Sequence, residues 1–171
     1  GHALKGKGDF DAAIISYKKA LELNPSDIEA CASIGAVFND KGELEAAIKS
    51  YNQALRIKPD FSEAHYNIAN IYRDSGKPRS AIDSYTETLK LRPDFSEAHN
   101  NMGLALRDIG DLEGALASYK LALKYKPDYA DPYCNIAIAL NEQADPQGAI
   151  KWYKRALEIE PNHAESYINM G

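Results

Sequence analysis

One asparagine recurs along the chain at a constant spacing of 34 residues. The column comprises Asn67, Asn101, Asn135 and Asn169. A carboxamide offers both a donor and an acceptor, so it can pair with a peptide backbone whatever side chains the peptide carries. The column therefore predicts a ladder that holds an extended peptide by its backbone. The alternative is that these side chains only hydrogen-bond neighbouring helices of the same chain.

Further polar side chains accompany the asparagine column and complete a candidate peptide-binding set. They are Tyr66, Asn70, Arg73, Asn100 and Arg107. Residues three, four or seven positions apart lie on one face of a helix, so these side chains fall on or beside the face that carries the column. We expect the column to hold the peptide backbone and these neighbours to set the preference among peptide side chains.

Acidic residues lie at both ends of the same stripe, in two columns. The columns are Glu29, Glu63, Glu97 and Asp131, and then Asp40, Asp74, Asp108 and Glu142. Such charges favour a basic or a Ser/Thr-rich partner through complementarity of the electrostatic field. The interpretation that we prefer for the first column is that acids near a helix start complement its dipole. The second column is placed to pair with Arg73 and Arg107.

The residues that most often perform catalysis are not arranged for it in this sequence. They are His2, His65, His99, His163, Cys31 and Cys134. No spacing among them suggests a nucleophile with its base, and no set converges as metal ligands must. The sequence also lacks a phosphate-binding glycine loop and a dinucleotide fingerprint. We therefore predict a chain that is not an enzyme and that binds neither a cofactor nor a metal.

Charge and hydropathy narrow the classes of partner. The net charge is −5 and the isoelectric point is about 5.4, which argues against binding to a nucleic acid backbone. No apolar run is long enough to span a bilayer, so we expect no membrane insertion. Cys31 and Cys134 lie three repeats apart and are expected to stay unpaired, which fits a reducing compartment. The expected location is the cytoplasm, or the cytoplasm and nucleus.

The spacing of 34 residues extends well beyond the asparagines. It is shared by Pro25, Pro59, Pro93, Pro127 and Pro161, by Ala47, Ala81, Ala115 and Ala149, and by Tyr51, Tyr85, Tyr119 and Tyr153. A fixed period of this length indicates an array of one supersecondary unit. In residues 62–95, apolar residues at helical spacing predict two helices. Gly76 is suited to end the first helix and Pro78 to begin the second.

The order of residues in each unit resembles the tetratricopeptide repeat, W-x₂-L-G-x₂-Y followed by A-x₃-F and P. In the first full copy the matching residues are Cys31, Ile34, Gly35, Phe38, Ala47, Tyr51 and Pro59. The resemblance implies an all-α protein, a right-handed α-solenoid of stacked antiparallel helix hairpins. Its units are a partial repeat 1–27, full repeats 28–61, 62–95, 96–129 and 130–163, and a partial repeat 164–171. The asparagine column resembles the ladder in the repeat arm of O-GlcNAc transferases.

The sequence departs from the family pattern at three kinds of position, one of which is an aromatic position that Leu106 and Leu140 occupy. The tryptophan is replaced in every copy, by Cys31, His65, His99 and Tyr133. Ala144 stands where the other turns have glycine, so we expect that turn to differ. Both ends of the chain fall within a first helix and lack a polar capping face. We therefore expect a piece of a longer array.

The resemblance implies a protein–protein interaction scaffold that binds an extended peptide or a partner protein in its concave groove. Two alternatives remain open at this point. The first is a self-assembly scaffold, in which copies associate through the exposed repeat ends or the convex face. The second is a non-catalytic substrate-recognition arm of a larger glycosyltransferase.

Overall fold

The computed structural model describes residues 9–162, so Asn169, His2 and His163 lie outside the described residues. Regular structure in this range consists of nine α-helices, and the range contains no strand. The helices are α1 (Phe10–Leu23), α2 (Ile28–Asp40), α3 (Leu44–Ile57), α4 (Ser62–Asp74), α5 (Pro78–Leu91), α6 (Ser96–Asp108), α7 (Leu112–Tyr125), α8 (Ala130–Glu142) and α9 (Pro146–Ile159). None of them is long and apolar enough to cross a membrane.

The chain divides into two compact units, Gly1–Ser75 and Gly76–Gly171. In the N-terminal unit, α2 packs against α1 and α3, and α3 packs against α4. In the C-terminal unit, each helix packs against the next, and α6 also contacts α8. Helices adjacent in sequence are therefore neighbours in space within each unit, as a hairpin array requires.

Side-chain caps begin several of the helices. The Asp27 carboxylate accepts a hydrogen bond of 2.9 Å from the Ala30 backbone N–H at the start of α2. At the start of α7, Asp111 accepts one of 2.9 Å from Gly114. These bonds satisfy backbone donors that have no partner within a helix. As predicted, α5 begins at Pro78, which needs no hydrogen bond at that position.

The turn at Ala144 does not differ from the glycine turns, so that expectation was wrong. Ala144 has φ +61°, and Gly110 has φ +81° in the equivalent turn. The same two backbone hydrogen bonds close both turns. One of them joins the N–H of Asp145 to the Leu140 carbonyl at 2.9 Å. These bonds hold the left-handed conformation although alanine adopts it less readily than glycine does.

The side chains that replace the tryptophan have a shared structural role in three repeats. Each one reaches back six residues to a proline carbonyl oxygen. The pairs are His65 Nε2 with Pro59 O at 3.1 Å, His99 Nε2 with Pro93 O at 2.8 Å, and Tyr133 Oη with Pro127 O at 3.0 Å. They join a first helix to the turn that precedes it, so His65 and His99 have a structural explanation.

A helical glycine allows close packing against a tyrosine in each unit. A Cβ added to Gly35 would lie 3.0 Å from the ring of Tyr51, which is buried. A Cβ added to Gly103 would lie 2.4 Å from Cε1 of Tyr119, and this ring is completely buried. The absence of a side chain therefore sets how closely the two helices of a hairpin approach.

Candidate peptide-binding face

The first helices of successive hairpins, α2 and α4 in one unit and α6 and α8 in the other, carry the predicted site residues. We call the surface that bears the asparagine column in each unit the first-helix face. On α4, all of its candidate side chains are half-buried: Tyr66, Asn67, Asn70 and Arg73. On α6, Asn100 is buried, whereas Asn101 and Arg107 are half-buried. On α8, Asn135 is buried and 7% exposed.

The N-terminal unit has a cavity on its first-helix face, which we call the N-terminal cavity. Its volume is about 210 Å³. The lining residues come from all four helices of the unit: Tyr17, Glu29, Ala32, Ser33, Ala36, Tyr51, Glu63 and Asn67. The predicted ladder residue Asn67 thus lies beside two acids and two tyrosines.

Tyr51 forms a polar part of the wall of this cavity. It is only 2% exposed. Burial, and then the negative charges of Glu63 and Asp40, raise the pKa of the Tyr51 phenol well above its usual range. The hydroxyl is therefore protonated at any physiological pH and can both donate and accept a hydrogen bond.

Arg73, predicted to contact a peptide, is engaged by its neighbour in sequence. Its Nε and Nη2 donate to Oδ1 of Asp74 at 3.0 and 2.8 Å. This ion pair is the one expected for the second acidic column. The pair is largely solvated on the Asp74 side, so its net contribution to stability is small.

The C-terminal unit connects its asparagines to one another. Asn135 Nδ2 donates to Asn100 Oδ1 at 2.9 Å, joining α8 to α6 in a buried bond. Asn100 Nδ2 makes a longer contact of 3.4 Å with Asn101 Oδ1. At Asn135 the structure therefore shows the alternative role, a hydrogen bond to a neighbouring helix. The second N–H of Asn135 remains available to another acceptor, because a carboxamide has two donors.

Arg107 and Glu142 form a second pair between α6 and α8. Arg107 Nε lies 3.9 Å from Glu142 Oε1. Arg107 Nη1 and the Tyr119 hydroxyl are buried, and no described residue hydrogen-bonds them. Arg107 therefore pairs with Glu142 of the neighbouring hairpin, as the sequence predicts for the second acidic column.

Glu97 is the C-terminal counterpart of Glu29, and it is paired. Lys126 Nζ donates to Glu97 Oε1 at 3.0 Å. Partial burial, the largest single effect, raises the pKa of Glu97, but the hydrogen bond from Lys126, a backbone hydrogen bond, the charge of Lys126 and a hydrogen bond from Ser96 together outweigh it. The net result is a pKa below the usual range of glutamate. This acid is therefore a structural partner of Lys126 in the C-terminal unit.

Metal-ligating and nucleophilic side chains occur among the described residues. Within residues 9–162, no group of three or more histidine, cysteine and acidic side chains could hold a metal ion. Cys31 and Cys134 are buried free thiols, and burial, followed by the charge of Asp27, raises the pKa of the Cys31 thiol. A protonated, buried thiol is a poor nucleophile.

Sequence reasoning missed the N-terminal cavity and assigned Tyr51 only to packing. The sequence feature that could have indicated this cavity is the small size of Ala32 and Ala36. Two repeats further along the chain, the equivalent positions hold Asn100 and Leu104. A loss of side-chain volume at two positions of one repeat is therefore the pattern that identifies the cavity.

Comparisons with known proteins place the fold. One family model, described as TPR repeat, matches residues 1–39 and 35–76, and models described as tetratricopeptide repeat match residues 66–130 and 130–163. No curated protein sequence matches the chain. A crystal structure of MamA is 28% identical, with 95% of each chain covered and a TM-score of 0.87.

Two further structures share the fold at lower identity. MamA residues 41 to the end from Desulfovibrio magneticus RS-1 is 16% identical, covering 95% of this chain and 92% of that chain with a TM-score of 0.86. YrrB, described as a TPR protein with an unusual peptide-binding site, is 23% identical, covering 98% and 87% with a TM-score of 0.83. The predicted fold class, an all-α solenoid of helix hairpins, is confirmed. Since repeat models match from residue 1 to residue 163, the chain belongs to the tetratricopeptide repeat family.

Proposed function

We propose that the chain is a non-catalytic module that binds an extended peptide on its first-helix face. The tetratricopeptide fold is that of a protein–protein interaction scaffold, and it implies protein or peptide partners. The observation that carries the finer proposal is the N-terminal cavity, which opens on this face beside Asn67. YrrB, which shares the fold, is described as having a peptide-binding site.

The asparagines have different roles in this proposal. Asn67 and Asn101 are half-buried and contact the peptide backbone. Asn135 uses one N–H to hold α6 and offers the other to the peptide, while buried Asn100 positions it. Asn169 continues the column. A backbone ladder gives affinity that does not depend on the peptide sequence, because it reads only amide groups.

Specificity then comes from the side chains beside the ladder. Tyr66, Asn70 and Arg73 lie on α4, and Arg107 lies on α6. Arg73 and Arg107 have acids beside them, so they present paired charges and not free cations. Arginines that are paired with acids do not favour an anionic partner. We therefore also propose that the chain does not bind nucleic acids.

Selection from a library of random linear peptides on the immobilised chain tests the proposal. Peptides that bind are then measured by fluorescence anisotropy against an Asn67→Ala/Asn101→Ala variant. Loss of two charge-neutral hydrogen-bonding groups is expected to weaken binding by about tenfold. The matched control is Asn52→Ala/Gln53→Ala, which removes two exposed carboxamides from α3.

The outcomes separate the function from its alternatives. Equal binding by both variants would refute the ladder. Recovery of no peptide at all, together with a mass that rises with concentration in light scattering, would favour self-assembly. Asn135→Ala is measured separately, because it leaves the buried Asn100 oxygen without its partner and is expected to cost about 1–3 kcal/mol of stability.

A further inference from the structure

The N-terminal cavity differs from the corresponding part of the C-terminal unit in how its acidic side chains are paired. No described residue forms an ion pair with Glu29 or Glu63. The hydroxyl of Tyr51, which is 2% exposed, receives no hydrogen bond from the described residues, and only burial and nearby charge act on it. Glu29 and Glu63 are exposed, so both carboxylates and the Tyr51 hydroxyl that lines the cavity can bond a ligand there.

The equivalent positions of the C-terminal unit show the contrast. Glu97, which corresponds to Glu29, is bound by Lys126 at 3.0 Å. Asn135, which corresponds to Asn67, is bound to Asn100 at 2.9 Å. In the C-terminal unit, the acid and the asparagine at these positions therefore have partners within the chain, although the Tyr119 hydroxyl has none. In the N-terminal unit, no described residue forms an ion pair with the corresponding acid, Glu29.

The cause of the opening lies in two small residues. Ala32 and Ala36 line the cavity, where the C-terminal unit has Asn100 and Leu104. In the C-terminal unit, Asn100 accepts the hydrogen bond from Asn135. Its replacement by alanine at position 32 removes both the volume and the hydrogen-bonding partner. The cavity is thus built into the N-terminal unit by its sequence.

We propose that the N-terminal cavity binds the side chain of a lysine or arginine supplied by the partner peptide. Glu29 and Glu63 neutralise its charge, and the Tyr51 hydroxyl and the Asn67 carbonyl accept hydrogen bonds from it. The methyl groups of Ala32 and Ala36 and the tyrosine rings cover its aliphatic stem. Long basic side chains bury such stems against apolar surface while their charged ends keep polar partners.

The size and charge of the cavity favour this occupant over others. A volume of about 210 Å³ is below the range of about 300–1,000 Å³ typical of small-molecule sites, so it suits one side chain. Two carboxylates without counter-ions repel an acidic group. A neutral apolar side chain would offer no charge to the two carboxylates and no donor to the Tyr51 hydroxyl or the Asn67 carbonyl.

This inference rests on the proposed function, but it can be tested without any selected peptide. The probes are single amino acids with both ends blocked, Nα-acetyl-lysine amide and Nα-acetyl-arginine amide. Each is titrated into the ¹⁵N-labelled chain, and binding is followed by NMR. Blocked norleucine, which has the lysine stem without its charge, is the matched ligand control.

The expected result is a saturable shift of the Asn67 side-chain amide with either basic probe and none with norleucine. Glu29→Gln/Glu63→Gln should weaken binding by at least about tenfold, since hydrogen bonds to charged groups are strong. Glu45→Gln/Glu113→Gln removes the same charge from exposed positions on α3 and α7 and should have no effect. Tyr51→Phe keeps the ring and should weaken binding less.

Three results would overturn the inference. They are the absence of a shift with either basic probe, an equal shift with norleucine, and equal binding by the Glu29→Gln/Glu63→Gln variant. The peptide library distinguishes this failure from failure of the function. Selected peptides that bind through Asn67 but lack a basic residue would leave peptide binding intact and refute the cation pocket.

Discussion

At the residue scale, Ala144 shows how strongly a repeat imposes its backbone. Alanine in the left-handed region is strained by contact between Cβ and the following carbonyl. The turn keeps this conformation, with φ +61°, because the hydrogen bonds from Ala144 and Asp145 to α8 remain available. The array therefore tolerates one strained residue to preserve the angle between two helices.

Ala144→Gly is expected to stabilise the protein by about 1 kcal/mol, since glycine adopts positive φ without strain. Urea unfolding followed by circular dichroism measures the change. Gly110→Ala is the reciprocal control and should destabilise by a similar amount, because no side chain crowds that position. An Ala144→Gly variant with unchanged or lower stability would contradict the argument.

The residues at the tryptophan position form hydrogen bonds that the sequence did not predict. The sequence shows only that His65, His99 and Tyr133 occupy the position that the family pattern gives to a tryptophan. The structure adds hydrogen bonds from all three to proline carbonyls. Those bonds could not be predicted from one sequence, because the partner lies in a turn whose path depends on the packed array.

At the scale of helices, Gly103 of α6 packs against the ring of Tyr119 of α7 with no room for a Cβ. Gly103→Ala is expected to destabilise the protein by about 1–3 kcal/mol, since the ring cannot move out of a filled core. Thermal and urea unfolding measure the loss. The result expected from helix propensity alone is the opposite, because alanine favours helices by about 0.5–1 kcal/mol over glycine.

Gly35→Ala is the matched control for this prediction. Its added Cβ would lie 3.0 Å from the Tyr51 ring, compared with 2.4 Å at Gly103. Tyr51 also borders the N-terminal cavity, which gives its ring room to shift. We therefore expect a smaller loss at Gly35. Equal losses at the two positions would show that the cavity gives the ring no freedom.

The Glu97–Lys126 pair joins the start of α6 to the end of α7, and its contribution depends on pH. The folded-state pKa of Glu97 is lowered, mainly by Lys126 against the opposing effect of burial. A depressed carboxylate pKa stabilises the folded state above the unfolded pKa, and this contribution is lost as pH falls through the folded pKa.

Glu97→Gln is therefore expected to be less stable than the parent chain at neutral pH, with a difference that disappears in acid. Unfolding by urea between neutral pH and about pH 3, below the ordinary glutamate pKa, measures this. Glu113→Gln, on the exposed first turn of α7, controls for loss of a charge. A difference that persists unchanged in acid would refute the role of the ion pair.

The helices and their boundaries follow closely from the sequence, whereas the site follows only in part. Prolines, turn glycines and the apolar period act locally, so α4 and α5 could be predicted to begin and end where they do. The asparagine column predicts a polar face. Its division into a bonded Asn135 and a cavity-lining Asn67 depends on the volumes at positions 32 and 100, which act between helices.

At the scale of the whole molecule, two compact units contain separate buried tyrosines. Repeat arrays draw stability from each repeat and from its neighbours only, so destabilisation of one unit need not unfold the other. The chain has one tryptophan, Trp152 on α9 in the C-terminal unit. Its fluorescence reports on that unit, while circular dichroism reports on all helices.

Truncation of one core tyrosine in each unit separates their stabilities. Tyr51→Ala and Tyr119→Ala are each expected to cost about 3–5 kcal/mol, as for other buried aromatic residues. Tyr119→Ala should lower the guanidinium midpoint seen by Trp152 fluorescence. Tyr51→Ala should lower the midpoint of circular dichroism more than that of fluorescence, because helices α1–α4 unfold first. If both probes shift equally in both variants, the chain unfolds as one cooperative body, and a single free energy of unfolding describes it.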